Sequence, residues 1–164
     1  MTLDPFLQTL PQIQIHAGFG VIALLLGPFV LWRRKRDRTH KVLGYVWVLA
    51  MGLCALGGLF IPSHFTPWGI GPIHALSIYA LLGLFVAMRA IYRRNIAEHR
   101  EVMQNLYVRG VMLAGAFNFL PGRTMQRSLI PDAPELGYVI IAAVLFWAFL
   151  PLMRRALGAQ TVAG

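Results

Sequence analysis

Four of the five histidines in this chain fall into matched pairs, and their chemistry is the natural starting point. His16 and His74 each sit inside the tripeptide Ile-His-Ala at the mouth of an apolar run, 58 residues apart. His40 and His99 each follow an arginine-rich stretch and lie 59 residues apart. A neutral imidazole is a ready transition-metal ligand, and two that face each other across a helix bundle make an axial pair for b-type haem iron. Cys54 is the single cysteine, which excludes an internal disulfide and every CxxC metal or covalent-haem motif; it reads as packing. His64, in "PSHFTPWGIGP", has no matched partner and reads as a loop residue or a third outer ligand.

Arg109 is the other costly group. It stands in an apolar stretch, about ten residues or about 15 Å from the inner start of its helix, where a guanidinium costs at least about 2.5 kcal/mol on insertion scales. The six acids, Asp4, Asp37, Glu98, Glu101, Asp132 and Glu135, all lie near span ends or in loops. Its partner is then backbone carbonyl, a water-filled cavity, a haem propionate, a quinone oxygen or an anionic ligand. Arg123 and Arg127, in "PGRTMQR", are a second basic pair able to clamp a propionate or an anion, or to meet lipid headgroups.

These groups need a scaffold, and composition says which. The chain has 164 residues, is 57% hydrophobic and 13% charged, and its mean hydropathy is +0.62. Apolar stretches run over 14–32, 42–61, 70–91, 106–120 and 136–153. Each approaches the roughly 20 residues that an α-helix needs to cross a core about 30 Å thick. The reading is an all-α, polytopic membrane helix bundle that uses residues 1–164 as one transmembrane domain. The net charge of +9 is distributed by loop: twelve Lys and Arg on one side, from Arg33 to Lys41, Arg89 to Arg100 and Arg154–Arg155, against Arg123 and Arg127 on the other. That asymmetry places the N-terminus outside and the basic loops in the cytoplasm, against anionic headgroups. It needs no nucleic-acid partner. The first residues lack the basic segment of a cleaved signal peptide.

The histidine pairs belong to a longer repeat. "IHAGFGVIALLLGPFVLWRRKRDRTHKVLG" and "IHALSIYALLGLFVAMRAIYRRNIAEHREVM" share the Ile-His-Ala start, an Ala-Leu-Leu stretch, a Gly-x-Phe, a basic loop and a second histidine. "ALGGLFIP" and "LAGAFNFLP" close the two copies. The reading is a tandem duplication of a helical hairpin, repeat 1 at about 14–62 and repeat 2 at about 72–121. Four helices then form the core, and an accessory fifth helix covers about 136–153. Two copies in the same orientation are related by an axis along the membrane normal. His16 and His74 become mates near the outer face and His40 and His99 near the inner face, about 16 residues or about 24 Å away.

"GPIHALS", "EHREVM" and "AGAFNFLPGRTM" resemble the recurring signatures of the bacterial membrane family called domain of unknown function 2306. The resemblance runs from His16 to about Arg127. The family's His-Arg-x-x-Met pattern falls on His99, Arg100 and Met103, and its Pro-Gly-Arg pattern on Pro121, Gly122 and Arg123. It implies the fold and no activity. A second resemblance is to the di-haem cytochromes b that carry electrons across membranes from ascorbate, whose four-helix core carries histidines on alternating helices at opposite faces. That likeness implies haem at both levels.

The function expected is a small inner-membrane b-type cytochrome that passes electrons across or within the bilayer. His16 and His74 hold an outer haem, His40 and His99 an inner one, and Arg109 and Arg123 contact propionates or a quinone-like partner. The same four histidines are the candidate metal ligands. The alternative is a non-redox binding or accessory protein with a His- and Arg-lined cavity for a metal, lipid, quinone or anion. The expected partners are the lipid bilayer, a quinone or another redox protein, and a second copy in a homodimer. Each feature also has a plainer role: His40 and His99 as wet interfacial residues, Arg109 as a packing device satisfied by carbonyls, Met103 as filler. No carboxylate or activated nucleophile accompanies the histidines, so protease or hydrolase chemistry is a poor fit.

Overall fold

The computed structural model describes residues 3–33, 37–63 and 66–162, and every regular element among them is helical. His64 and the loop residues Arg34, Lys35 and Arg36 lie outside the described residues. The order is α1 (Asp4–Leu7), α2 (Pro11–Leu31), α3 (Arg38–Leu59), α4 (Pro72–Tyr92) and α5 (Ile96–Asn105). A π-helical segment (Leu106–Met112) follows, then α6 (Leu113–Phe117), α7 (Thr124–Leu129) and α8 (Leu136–Val162). α2, α3 and α4, with 21, 22 and 21 residues, are each long and apolar enough to cross a bilayer. The fourth expected span falls on the π-helical segment and α6. The fifth falls on α8, whose apolar part, Leu136–Leu150, is shorter.

Local chemistry sets the helix starts. Pro11 and Pro72 occupy the first position of α2 and α4, where a missing N–H costs nothing and a fixed φ is already helical. Asp37 caps α3 by accepting from the His40 backbone N–H at 3.0 Å. Asn95 caps α5, accepting from the Glu98 N–H at 3.2 Å while its amide donates to the Glu98 carboxylate at 2.8 Å. Only Arg93, Arg94 and Asn95 separate α4 from α5, and Arg94 makes the turn with φ of 60°.

The chain divides into two compact units. In the unit of residues 7–111, the order of side-chain pairings gives every helix direction. His16 meets Cys54 and Ala23 meets Trp47, so α2 and α3 run antiparallel. The Gly58–Ser77 and Gly52–Leu84 approaches do the same for α3 and α4. His99 bonded to Ala87, and Leu106 lying on Gly83, fix α4 against α5 and its continuation. The ring then closes, because the Gln104 amide reaches the Leu31 carbonyl at 3.4 Å and the Tyr107 hydroxyl donates to the Leu24 carbonyl at 2.9 Å.

Packing in this unit reverses the pattern of a water-soluble core. The residues turned inward are largely small: Ala23, Ala50, Ala55, Ala80, Ala87 and Ala90 are at most 4% exposed. Large ones face outward, with Phe29 at 71%, Leu25 at 64% and Phe85 at 63%. Lipid is as apolar as leucine and supplies no reason to bury it, so helices associate through close backbone approach and dispersion. Glycines make that approach possible at two places. A Cβ at Gly27 would fall within the Tyr107 ring, and one at Gly83 would strike the Leu106 side chain. The widened π-helical turn starts at these two residues, Leu106 engaging α4 and Tyr107 engaging α2.

In the second unit, residues 1–6 and 112–164, α6 packs on α8. Gln126, 3% exposed, holds α7 in place. Its side chain accepts from Gly122 N–H at 3.1 Å and donates to the Ile130 carbonyl at 2.9 Å. Gly122 has φ of +83°, a left-handed backbone that a side chain would strain.

Candidate functional site

The outer histidines are both engaged by backbone, in opposite senses. His16 Nδ1 lies 2.7 Å from the Cys54 carbonyl, which can only accept, so Nδ1 carries the proton and Nε2 keeps its lone pair. Cys54 Sγ packs against the same ring at 3.6 and 3.9 Å from its nitrogens, and a Cβ on Gly58 would crowd both His16 and Ser77. His74 is turned the other way. Its Nδ1 accepts from the Gly71 N–H at 3.1 Å, serving one of the unpaired donors at the start of α4. A neutral ring in that state has its remaining proton on Nε2, so neither nitrogen offers a free lone pair.

The inner histidines line one cavity. It measures about 540 Å³, within the range of about 300–1,000 Å³ usual for small-molecule and cofactor sites. His40 stands on the first turn of α3 and His99 on the first turn of α5, each placed there by its N-cap, Asp37 or Asn95. Val30, Leu31, Met88, Ile91 and the buried Met103 and Trp47 supply apolar lining. Trp47 is fixed by an indole N–H bond to the Ala23 carbonyl at 2.9 Å. Trp32 also lines the cavity and makes an edge-on contact with Tyr107, with centroids 5.6 Å apart.

The two inner rings differ in a useful way. His99 Nδ1 donates to the Ala87 carbonyl at 2.8 Å, leaving Nε2 with a lone pair. A ligand imidazole oriented by a backbone carbonyl is the usual arrangement of metal- and haem-binding histidines. His40 Nδ1 is buried with no hydrogen-bond partner. An orphaned polar atom of this kind costs about 1–3 kcal/mol, and it marks a place where a bound group would restore the balance.

The cavity mouth is cationic. Arg33, Lys41 and Arg100, all exposed, line it, and among the described residues no carboxylate does. Arg33 bonds to Asp37 with its Nη2 2.7 Å and its Nε 3.3 Å from the two carboxylate oxygens. The Arg33 hydrogen bond, with help from the His40 N–H, brings the Asp37 carboxyl down to about 2. Asp37 thus ties an arginine of the mouth to the first turn of the helix that carries His40.

The remaining sequence candidates are dispersed. Arg109 lies partly buried in the π-helical segment, with no hydrogen-bond or ion-pair partner among the described residues, and does not line the inner cavity. Arg123 is exposed at the N-cap position of α7, in the other unit. Among the described residues no group of three or more His, Cys, Asp or Glu side chains is placed to hold a metal ion.

Sequence reasoning passed over Arg33, Lys41 and Arg100 as functional groups, because their loops already had an explanation in membrane orientation. Nor did it single out Trp32 or Trp47 as site residues. Met103 was legible, standing four residues after His99 on the same helix face.

The comparisons agree with a bilayer setting. No curated protein and no solved structure gives a match. A family model described as "Predicted membrane protein (DUF2306)" matches residues 13–153, most of the chain, and the protein belongs to that family of membrane proteins.

Proposed function

We propose that this membrane protein binds haem b in the inner cavity, with His99 as the leading axial ligand and His40 as the second, and serves as an electron carrier. One observation carries the reading: an imidazole oriented through Nδ1 by a backbone carbonyl shares a cavity of about 540 Å³ with a second imidazole whose Nδ1 is buried and unpaired. Ligation would use the lone pair that the Ala87 bond leaves on His99 and would give the His40 ring the partner it lacks. Bound haem supplies a one-electron couple at the inner end of the bundle. The protein's part is to orient the two rings, surround the macrocycle with Met88, Met103 and Trp47, and limit water.

The outer pair supports haem less well, because the His74 ring caps α4. His16 Nε2 keeps its lone pair with the Cys54 Sγ 3.9 Å away, and the described residues give it no second imidazole in the same state. The reading therefore assigns one haem, at the inner level.

Absorption spectra of the detergent-purified protein, before and after dithionite, test it. A Soret band that shifts on reduction, with an α band, is the expected result, and His99→Ala should remove it while His64→Ala leaves it intact. A colourless protein that also fails to take up added ferric protoporphyrin would sink the reading in favour of a non-redox binding protein for lipid, quinone, anion or metal.

A further inference from the structure

The geometry points to a ligand class that the inner cavity selects: a flat apolar body carrying two carboxylates. The inference rests on reading the cavity as a ligand site, and it concerns the mouth rather than the iron. Three cations line that mouth. Arg33 is neutralised by Asp37, the ion pair found among the described residues. Lys41 and Arg100, both exposed, line the same cavity with no acidic partner among the described residues. Two unmatched positive charges thus stand over an apolar chamber, and the groups that satisfy both regions together are a pair of anionic tails on a hydrophobic plate.

The sequence candidates for this role, Arg109 and Arg123, do not line the cavity. Recognition of the acidic tails passes instead to Lys41, one residue after His40, and Arg100, one residue after His99. Each basic side chain is the sequence neighbour of an imidazole that also lines the cavity. A single ligand could therefore meet both the histidines and the cations.

The probe is metal-free protoporphyrin IX, whose fluorescence reports binding without any need for an iron ligand, set against its dimethyl ester. Both are titrated into the full chain in neutral detergent. Since exposed ion pairs contribute about two- to fivefold each in affinity, the free acid should bind about tenfold tighter than the ester. Lys41→Gln with Arg100→Gln should abolish that preference, bringing the affinity for the acid down to that for the ester. A thermal melt of the double variant checks that it folds. Equal affinity of acid and ester in the wild type overturns the inference, as does displacement of the acid by phosphatidylglycerol at matched concentration, which would make the mouth a lipid-headgroup site. Ferric protoporphyrin separates this from the haem reading: a preference for the acid without an imidazole-ligated Soret band sinks haem alone. Ligated haem bound equally as acid and ester sinks only the present inference.

Discussion

The two ends of the four-helix unit, called outer and inner from the charge asymmetry of the loops, come from similar sequence and are different places. At the outer end, His16 and His74 exchange hydrogen bonds with backbone, and Gly57 and Gly58 let α3 close on the His16 ring. Each imidazole there has a backbone partner at Nδ1. At the inner end, His40 and His99 border a cavity, one imidazole nitrogen is left buried without a partner, and cations ring the opening. A histidine is thus defined less by its residue type than by which of its nitrogens the surrounding backbone has already claimed.

The comparison can be broken most forcefully by exchanging the two ends. His99→Ala should abolish bound pigment, a loss of more than tenfold in haem content, while His16→Ala should leave most of it in place. Equal losses measured by pyridine haemochrome would erase the distinction between the levels. A packing insult should show the reverse. Gly58→Val drives a side chain into Ser77 and the His16 ring and should cost about 1–3 kcal/mol of stability, with the spectrum of any folded, haem-loaded protein unaltered. A changed spectrum in the folded variant would couple the ends.

His74→Ala comes next. Removing a capping acceptor costs about 0.5–2 kcal/mol, so the thermal midpoint should fall a few degrees with haem content preserved, and loss of pigment would restore His74 as a ligand. The smallest effect belongs to Asp37. Its carboxyl titrates at about 2, below the ordinary value of about 3.9 for an unfolded chain. Its stabilisation is therefore complete above about pH 4 and is lost as the pH falls through about 2. Asp37→Asn should remove that limb from the pH dependence of unfolding. An unchanged acid limb would assign it to another carboxylate.

Much of the architecture was legible because it depends on composition and period. Hydropathy located α2, α3 and α4 to within a few residues, since a bilayer imposes helix length. Pro11, Pro72, Asp37 and Asn95 mark helix starts by chemistry that acts over three or four residues. The fourth stretch, 106–120, read simply as an apolar span, yet it is π-helical over Leu106–Met112 and α-helical only over Leu113–Phe117. Nothing periodic announces that change, which accompanies Leu106 lying on Gly83 and Tyr107 on Gly27, both distant in sequence.

The site divides along the same line. Residue types and spacing alone determined that imidazoles would recur at matched positions on neighbouring helices, and that the chain would be a helical membrane protein, because both follow from local pattern. Only the tertiary structure decided that His74 spends its Nδ1 on the start of α4, that His99 is oriented by Ala87, and that Arg33, Lys41 and Arg100 share a cavity with the inner pair. Hydrogen-bond allocation is a property of three-dimensional neighbours: a repeated tripeptide fixes where an imidazole sits along a helix, and the packing around it decides which lone pair remains to be used.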